Sequence, residues 1–207
     1  METLGRTSQE VRVRPMLASD LADVVAIAAV VPTAPHWPPS EFLRMLDVIQ
    51  AQPGRRGAWV GYGEPRSAGA EVPGLVVPMV RRKQQPAAVN PSGRIGPPGA
   101  DPEGMGVVWG FAMASQVAGI AELEAVVTAP GFRRRGVGAA LLAATAGWAV
   151  AQGAERLLLE ARASNQDALR LYRRMGFQDD GVRPGYYNNP VEDAVLLSCA
   201  LPMERNP

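Results

Sequence analysis

The sequence predicts a mixed α/β fold, a central sheet of about six to seven strands flanked by helices. Three observations predict it. Short apolar or alternating runs suited to strands interleave with longer runs that glycine or proline stops. Strand-like segments follow one another directly in the middle of the chain and at its end, which implies hairpins. The resulting order, β-α-α-β-β-β-α-β-α-β-β, has no internal repeat and mixes helices with hairpins.

Taking the elements in order, VRVR at 11–14 alternates like an edge strand, and Ser19 or Asp20 can cap a helix through LADVVAIAAVV that Pro32 stops. PTAPHWPPS is a proline-rich loop. Ser40 then opens a second helix, with Phe42, Leu43, Leu46 and Ile49 on one stripe, which Pro53 and Gly54 end. GAWVGYG at 57–63 reads as a strand. From 64 to 104 the pattern fails: eight prolines fall there, so the stretch is expected to be an insertion or long loop, with GLVVPMV at 74–80 as its one candidate edge strand. Strand character returns at 106–117 and 121–129 around a turn at Gly119. A helix over RRRGVGAALLAATAGWAVAQG ends at Gly153, and RLLLEAR at 156–162 is a compact strand. SNQDALRLYRRMG is a helix capped by Ser164 or Asn165 and stopped by Gly176, with Ala168, Leu171, Tyr172 and Met175 on one face. FQDDGV and VEDAVLLSCAL are the last two strands.

Composition narrows the chemistry. The 207 residues carry 21 Lys+Arg and 20 Asp+Glu, a formal charge of +1, so no global field draws the chain to nucleic acid or acidic membranes. No apolar stretch reaches the ~20 residues of a membrane-crossing helix, and the polar N-terminus lacks a secretory signal's apolar centre, so a cytoplasmic location is expected. There is one Cys (Cys199), one His (His36) and one Lys (Lys83). A structural zinc site needs about four Cys/His ligands, a disulfide needs two cysteines, and a phosphate-binding Walker loop needs a lysine after glycines; none can be assembled, and no metal is expected. His36, between Pro35 and Trp37, reads as a loop residue, and no Gly-x-Ser-x-Gly elbow is present. Cys199, in the terminal strand, is expected in the core.

The informative segment is AVVTAPGFRRRGVGAALL, a strand running through a Pro-Gly turn into Arg133-x-x-Gly136-x-Gly138 and on into a helix. Free N–H groups at a helix start, approached closely where glycines lack a β-carbon, hold a diphosphate, and the helix dipole favours negative charge. Arg134 and Arg135 add to the attraction. Three cations beside the positive end of a helix are unfavourable without an anion, by about 0.3–1 kcal/mol each. A dinucleotide site of the Rossmann type wants a third glycine at position 141, where Leu141 stands, so a different diphosphate is expected.

Arg133-x-x-Gly136-x-Gly138 after AVVTAP, followed by LLLEARASNQDALRLYRRMGF, resembles the GNAT acyltransferase superfamily. Within it, LEARASNQDALRLYRRMGF and GYYNNPVEDAVLLSCAL are similar to the RimI-type N-acetyltransferases of ribosomal-protein alanine, and PHWPPSEF resembles their early Trp-Ser-x-x-x-Phe segment. The likeness covers residues 10–63 and 104–202. It implies a GNAT-like mixed sheet in a single domain spanning 1–207, with the core at about 10–202 and the insertion at 64–104. It implies acetyl-CoA as co-substrate and a protein N-terminus, that of a small-subunit ribosomal protein, as partner. By the same resemblance Val126, Val127 and Thr128 offer backbone groups to the pantetheine arm, Arg133, Arg134, Arg135, Gly136, Val137, Gly138 and Ala139 hold the diphosphate, and Asn165 reaches the cofactor from the other side. Glu160 matches the proton acceptor, Tyr172 the proton donor, and Tyr186 with Tyr187 an aromatic pair at the acceptor groove.

These residue types suit the reaction. An amine attacks a thioester only when neutral. An N-terminal amine, with a pKa of about 7.7–8.0, is roughly a tenth neutral at pH 7, whereas a lysine near 10.4 needs about 3.4 kcal/mol more. A departing thiol near 8.5 lies within reach of a tyrosine near 10. The residues alone leave alternatives open: Glu160 as an ion-pair partner of Arg162 or Arg156, Tyr172 as core, and Tyr186 and Tyr187 as turn residues. Glu122 and Glu124, sharing a strand face by period two, are reserve bases. A small amine or another protein's N-terminus as acceptor, and a non-catalytic CoA-binding or ribosome-associated module, are the competing functions. Pro184-Gly185 stands where the resembled pattern has a more basic pair.

Overall fold

The computed structural model of the chain describes residues 10–35, 37–52, 54–63 and 106–203. The insertion at 64–104, the strand expected at 74–80, His36, Pro53 and Lys83 lie outside them. Seven strands form one sheet: β1 (Arg12–Pro15), β2 (Arg56–Gly63), β3 (Val107–Val117), β4 (Ile120–Thr128), β5 (Arg156–Arg162), β6 (Gln178–Asn188) and β7 (Val191–Ala200). Their order is β1-β2-β3-β4-β5-β7-β6, antiparallel throughout except for parallel β4 and β5. Four α-helices, α1 (Leu21–Val30), α2 (Pro39–Ala51), α3 (Val137–Ala151) and α4 (Gln166–Arg174), flank it.

Each face of the sheet has its own core. On one, Leu141, Leu142, Ala146 and Ala149 of α3 and Leu169 and Tyr172 of α4 pack on Leu123, Leu157, Leu159 and Leu197. On the other, Val24, Ile27 and Ala28 of α1 and Phe42, Met45 and Leu46 of α2 pack on Val60, Phe111, Met113, Ala125 and Val127. Met45 takes the core place expected of Leu43, which is about half exposed because α2 is rotated toward Met45. Asp20 does not cap α1 with its side chain. Buried, it takes a bidentate ion pair from Arg14 at 2.7 and 2.9 Å and accepts from the Leu17 N–H, tying β1 to the start of α1. Pro39 begins α2 at the first turn, where a missing N–H costs nothing.

The turns follow their residues. Ala118 and Gly119, both at positive φ, close the β3–β4 hairpin as a two-residue loop, and Gly153 and Gly176 leave α3 and α4 at positive φ. Asn165, rather than Ser164, caps α4 by accepting from the Ala168 N–H at 3.3 Å. The α3 helix begins at Val137, later than the arginines suggested: Arg134 (φ 59°) and Gly136 (φ 83°) are left-handed and keep residues 133–136 in a loop. Cys199 is buried as expected, its thiol pushed up to about 11 by desolvation.

Two irregularities position the site. Opposite β3, the pairing steps from Met113↔Ala125 to Ala114↔Leu123, leaving Glu124 as an extra residue in a bulge. The bulge reverses the alternation: Ala121 and Leu123 face the α3 core, whereas Ala125 and Val127 face the α1/α2 core. The period-two relation expected between Glu122 and Glu124 is therefore interrupted. Beyond the bulge the two parallel strands also part. β4 and β5 are paired only over Ile120–Leu123 and Arg156–Leu159, while β4 continues to Thr128 against β3 and β5 to Arg162 against β7. Facing backbone margins thus open in the middle of the sheet.

Candidate active site

A cavity of about 440 Å³ occupies this opening. Leu123 to Val127 of β4 line one wall, Leu159 to Arg162 of β5 the other, and Asn165, Tyr172, Tyr187 and Asn189 close it, with 32–35 of the α1–α2 loop at its mouth. Glu160, Tyr172, Asn165 and Tyr187 are thereby brought together, as are Val126 and Val127. A larger cavity of about 580 Å³, lined among others by Arg156, Asp180 and Ser198, lies at the opposite end of β5 and contains none of the expected site residues.

Glu160 projects from β5 just where the pairing with β4 ends. Its ion pair is with Arg183 of β6, at 2.8 Å. The partners suggested by spacing are engaged elsewhere: Arg156 with Asp180 and Ser198, and Arg162 with Glu192. The reason is tertiary, since β7 lies between β5 and β6 and brings the far strand's long side chains over Glu160. Tyr186 adds a hydrogen bond to the same carboxylate, and that bond, followed by the carboxylate's charge, holds the Tyr186 phenol above its ordinary value. Tyr187 points into the cavity with the Arg162 guanidinium 4.2 Å from its ring centroid, and burial raises its phenol as well.

Tyr172 is on the apolar face of α4, 6% exposed, against Phe177, and it also lines the cavity. Burial is the main reason its phenol lies far above the usual value near 10. That direction bears on its chemistry. A phenol raised this far keeps its proton at any working pH, and donates a hydrogen bond more readily than it surrenders the proton to a thiolate.

Tyr186 and Tyr187 are in β6, not in a turn before the last strand. Pro184 and Gly185 are absorbed as a bulge: pairing jumps from Arg183↔Ala194 to Tyr187↔Glu192, Gly185 adopts φ 60°, and its N–H donates to Asp193 Oδ1 at 2.8 Å. Of the reserve acids, Glu124 lines the cavity but is paired with Arg56 at 2.9 Å, and Glu122 is exposed outside it. Arg183 was missed by sequence reasoning. The one signal was its place directly before PGYY, in a segment read as having left the strand.

The loop 133–136 and the first turn of α3 follow the open end of β4. No side chain caps α3 at Gly136, so the N–H groups of its first turn have no partner within the helix. A β-carbon at Gly136 would meet nothing within 4 Å, leaving the approach clear. One at Gly138 would lie 2.9 Å from Leu171, so this glycine lets α3 close on α4. Arg133 and Arg134 are exposed beside the turn, and Arg135 lies over the Phe132 ring.

Residues 79–177 match the model of the Acetyltransferase (GNAT) family. Over these residues the chain is similar to a GNAT acetyltransferase domain. The [ribosomal protein bS18]-alanine N-acetyltransferase of Salmonella typhimurium is 35% identical over 95 residues, covering 45% of this chain and 64% of that protein. The chain thus spans less than two thirds of this curated relative. The crystal structure of the ribosomal-protein-S18-alanine N-acetyltransferase from Escherichia coli superposes with a TM-score of 0.62 at 21% identity, covering 94% of this chain and 96% of that one. A putative acetyltransferase from Salmonella typhimurium, solved with its cofactor acetyl-CoA, has a TM-score of 0.63 at 14% identity, covering 96% and 98%. These likenesses establish the seven-stranded architecture as that of the GNAT fold, whose acyl donor is acetyl-CoA. The residues present fit that donor: the uncapped α3 turn with its open glycine and flanking arginines suits a diphosphate, and the unpaired margin of β4 suits an amide-bearing arm. Among the described residues no helix is long and apolar enough to cross a membrane, and no group of His, Cys, Asp or Glu could hold a metal.

Proposed function

We propose that this protein transfers acetyl from acetyl-CoA to the N-terminal α-amine of a protein, specifically the N-terminal alanine of a small-subunit ribosomal protein. One observation carries the reading: Glu160 and Tyr172, from different elements, line the same cavity where β4 and β5 part. The named relative supports the acceptor.

When bound, acetyl-CoA supplies a thioester carbonyl open to attack and a sulfur that departs. The backbone of Val126, Val127 and Thr128 would bind its pantetheine arm, the loop and turn from Arg133 to Ala139 its diphosphate, and Asn165 would close the other side. Glu160 takes the proton that the acceptor ammonium must lose. A carboxylate suffices for an amine with a pKa of about 7.7–8.0, which is already partly neutral. Tyr172 donates a hydrogen bond toward the sulfur as charge develops there and keeps its proton, as its raised phenol favours. Tyr187 and the 32–35 loop enclose the acceptor and exclude water.

The surroundings also speak against a small acceptor bearing a carboxylate. Arg162, the cation lining the cavity, already donates to Glu192 at 3.2 Å and to the carbonyls of Asn189 and Pro190 at 3.2 and 3.3 Å. The test is incubation with acetyl-CoA and an alanine-starting peptide. Acetylated peptide and an equal amount of free thiol are expected. Absence of both overturns the proposal, and stronger acetylation of a small amine in a kcat/KM panel replaces the acceptor.

A further inference from the structure

We infer that Arg183 is a specificity-determining residue: its guanidinium occupies, on Glu160 and against the Tyr186 ring, the place an acceptor ammonium takes, so a charged amine binds only by exchange with it. The inference rests on the reading of the Glu160 cavity as the amine site.

An ammonium group is recognised by a carboxylate and by aromatic faces. Arg183 uses both features now. Its Nη1 is 2.8 Å from Glu160 Oε1, and its Cζ is 4.7 Å from the Tyr186 centroid. Tyr186 in turn hydrogen-bonds the same carboxylate and packs edge-on against Tyr187 at 5.2 Å, so carboxylate, cation and two rings form one unit.

The two arginines of this region are held very differently. Arg162 is 17% exposed and bound to a carboxylate and two carbonyls. Arg183 is 51% exposed and held by one carboxylate and one ring. It also rides the Pro184-Gly185 bulge, where β6 departs from regular pairing with β7. Removing so exposed a partner changes competing affinity by about two- to fivefold. The guanidinium's charge competes with the ammonium form of the acceptor and leaves the neutral, reactive form comparatively favoured.

The test measures binding without turnover. An alanine-starting peptide and its N-acetylated counterpart are titrated by calorimetry into CoA-saturated wild type, Arg183→Ala and Arg183→Lys, each with and without Glu160→Gln. Arg183→Ala is expected to tighten the free-amine peptide about two- to fivefold and to leave the blocked peptide unchanged. Arg183→Lys should bind like wild type, and the alanine effect should vanish with Glu160→Gln. Equal, weaker or undetectable binding of the free-amine peptide to Arg183→Ala overturns the inference. A parallel shift of both peptides does so too, because it marks a merely structural role. The outcome is separable from acetyl transfer. Amine-selective tightening in an enzyme that never acetylates the peptide sinks the activity alone, and acetylation without it sinks the role of Arg183 alone.

Discussion

The two walls of the cavity are made of different materials. The β4 wall and the α3 turn beyond it present backbone: an unpaired strand margin after the Glu124 bulge, an uncapped helix start, and glycines at 136 and 138. The β5–β6 wall presents side chains: Glu160, Arg162 and Tyr187 line the cavity, and Arg183 and Tyr186 bind Glu160 from beyond it. In the proposed function the backbone recognises a donor that is always the same, and it is sensitive to sterics. In the proposed function the side chains recognise the acceptor, and they are sensitive to charge.

The sharpest way to break this contrast is Glu160→Gln. It should lower kcat by about a hundredfold or more, the range of general acid–base catalysis, with CoA affinity within about twofold of wild type by calorimetry. Equal losses in both would return Glu160 to a structural role. The complementary change, in β3 behind the backbone wall, is Gly110→Ala, whose β-carbon would lie 2.4 Å from the Val127 carbonyl oxygen. Backbone has to shift, so a loss of about 1–3 kcal/mol in denaturant unfolding is expected, accompanied by weaker CoA binding with the acceptor KM little changed. A loss of acceptor affinity alone would mean the walls are not separable.

Tyr172→Phe should reduce kcat about tenfold, roughly 1.4 kcal/mol, because one hydrogen bond to the departing sulfur is lost and burial is kept. Full activity would assign the proton to water. The smallest effect concerns stability at high pH. Tyr172 is raised in the folded protein, so the folded state retains a proton that the unfolded chain loses above about pH 10. Its contribution is therefore fully present below that pH and declines as pH rises past it. Urea midpoints above pH 10 should fall less steeply for Tyr172→Phe than for wild type.

Much of the architecture was legible because local chemistry and final structure agree. Gly119, Gly153 and Gly176 mark turns they do make, and RLLLEAR is a strand because it is buried among neighbours on both sides. The core stripe of α2 was legible except at Leu43, where two apolar residues two positions apart left the helix rotation to packing. The Glu124 bulge was not legible: AELEA alternates through Glu124 without a break, and the extra residue is defined only by what β3 places opposite it. Nor was the course of β6, since Pro-Gly ordinarily ends a strand and is tolerated here at an outer strand through the Asp193 hydrogen bond. The Glu160–Arg183 pair depends on the insertion of β7 between β5 and β6 and leaves no trace in spacing.

Among the described residues β6 is a terminal strand of the sheet, with a neighbour on one side only. Its backbone need match only the pairing of β7, whereas β4 is locked among interior strands. The periphery can therefore diversify its clientele while the interior goes on handling a constant reagent.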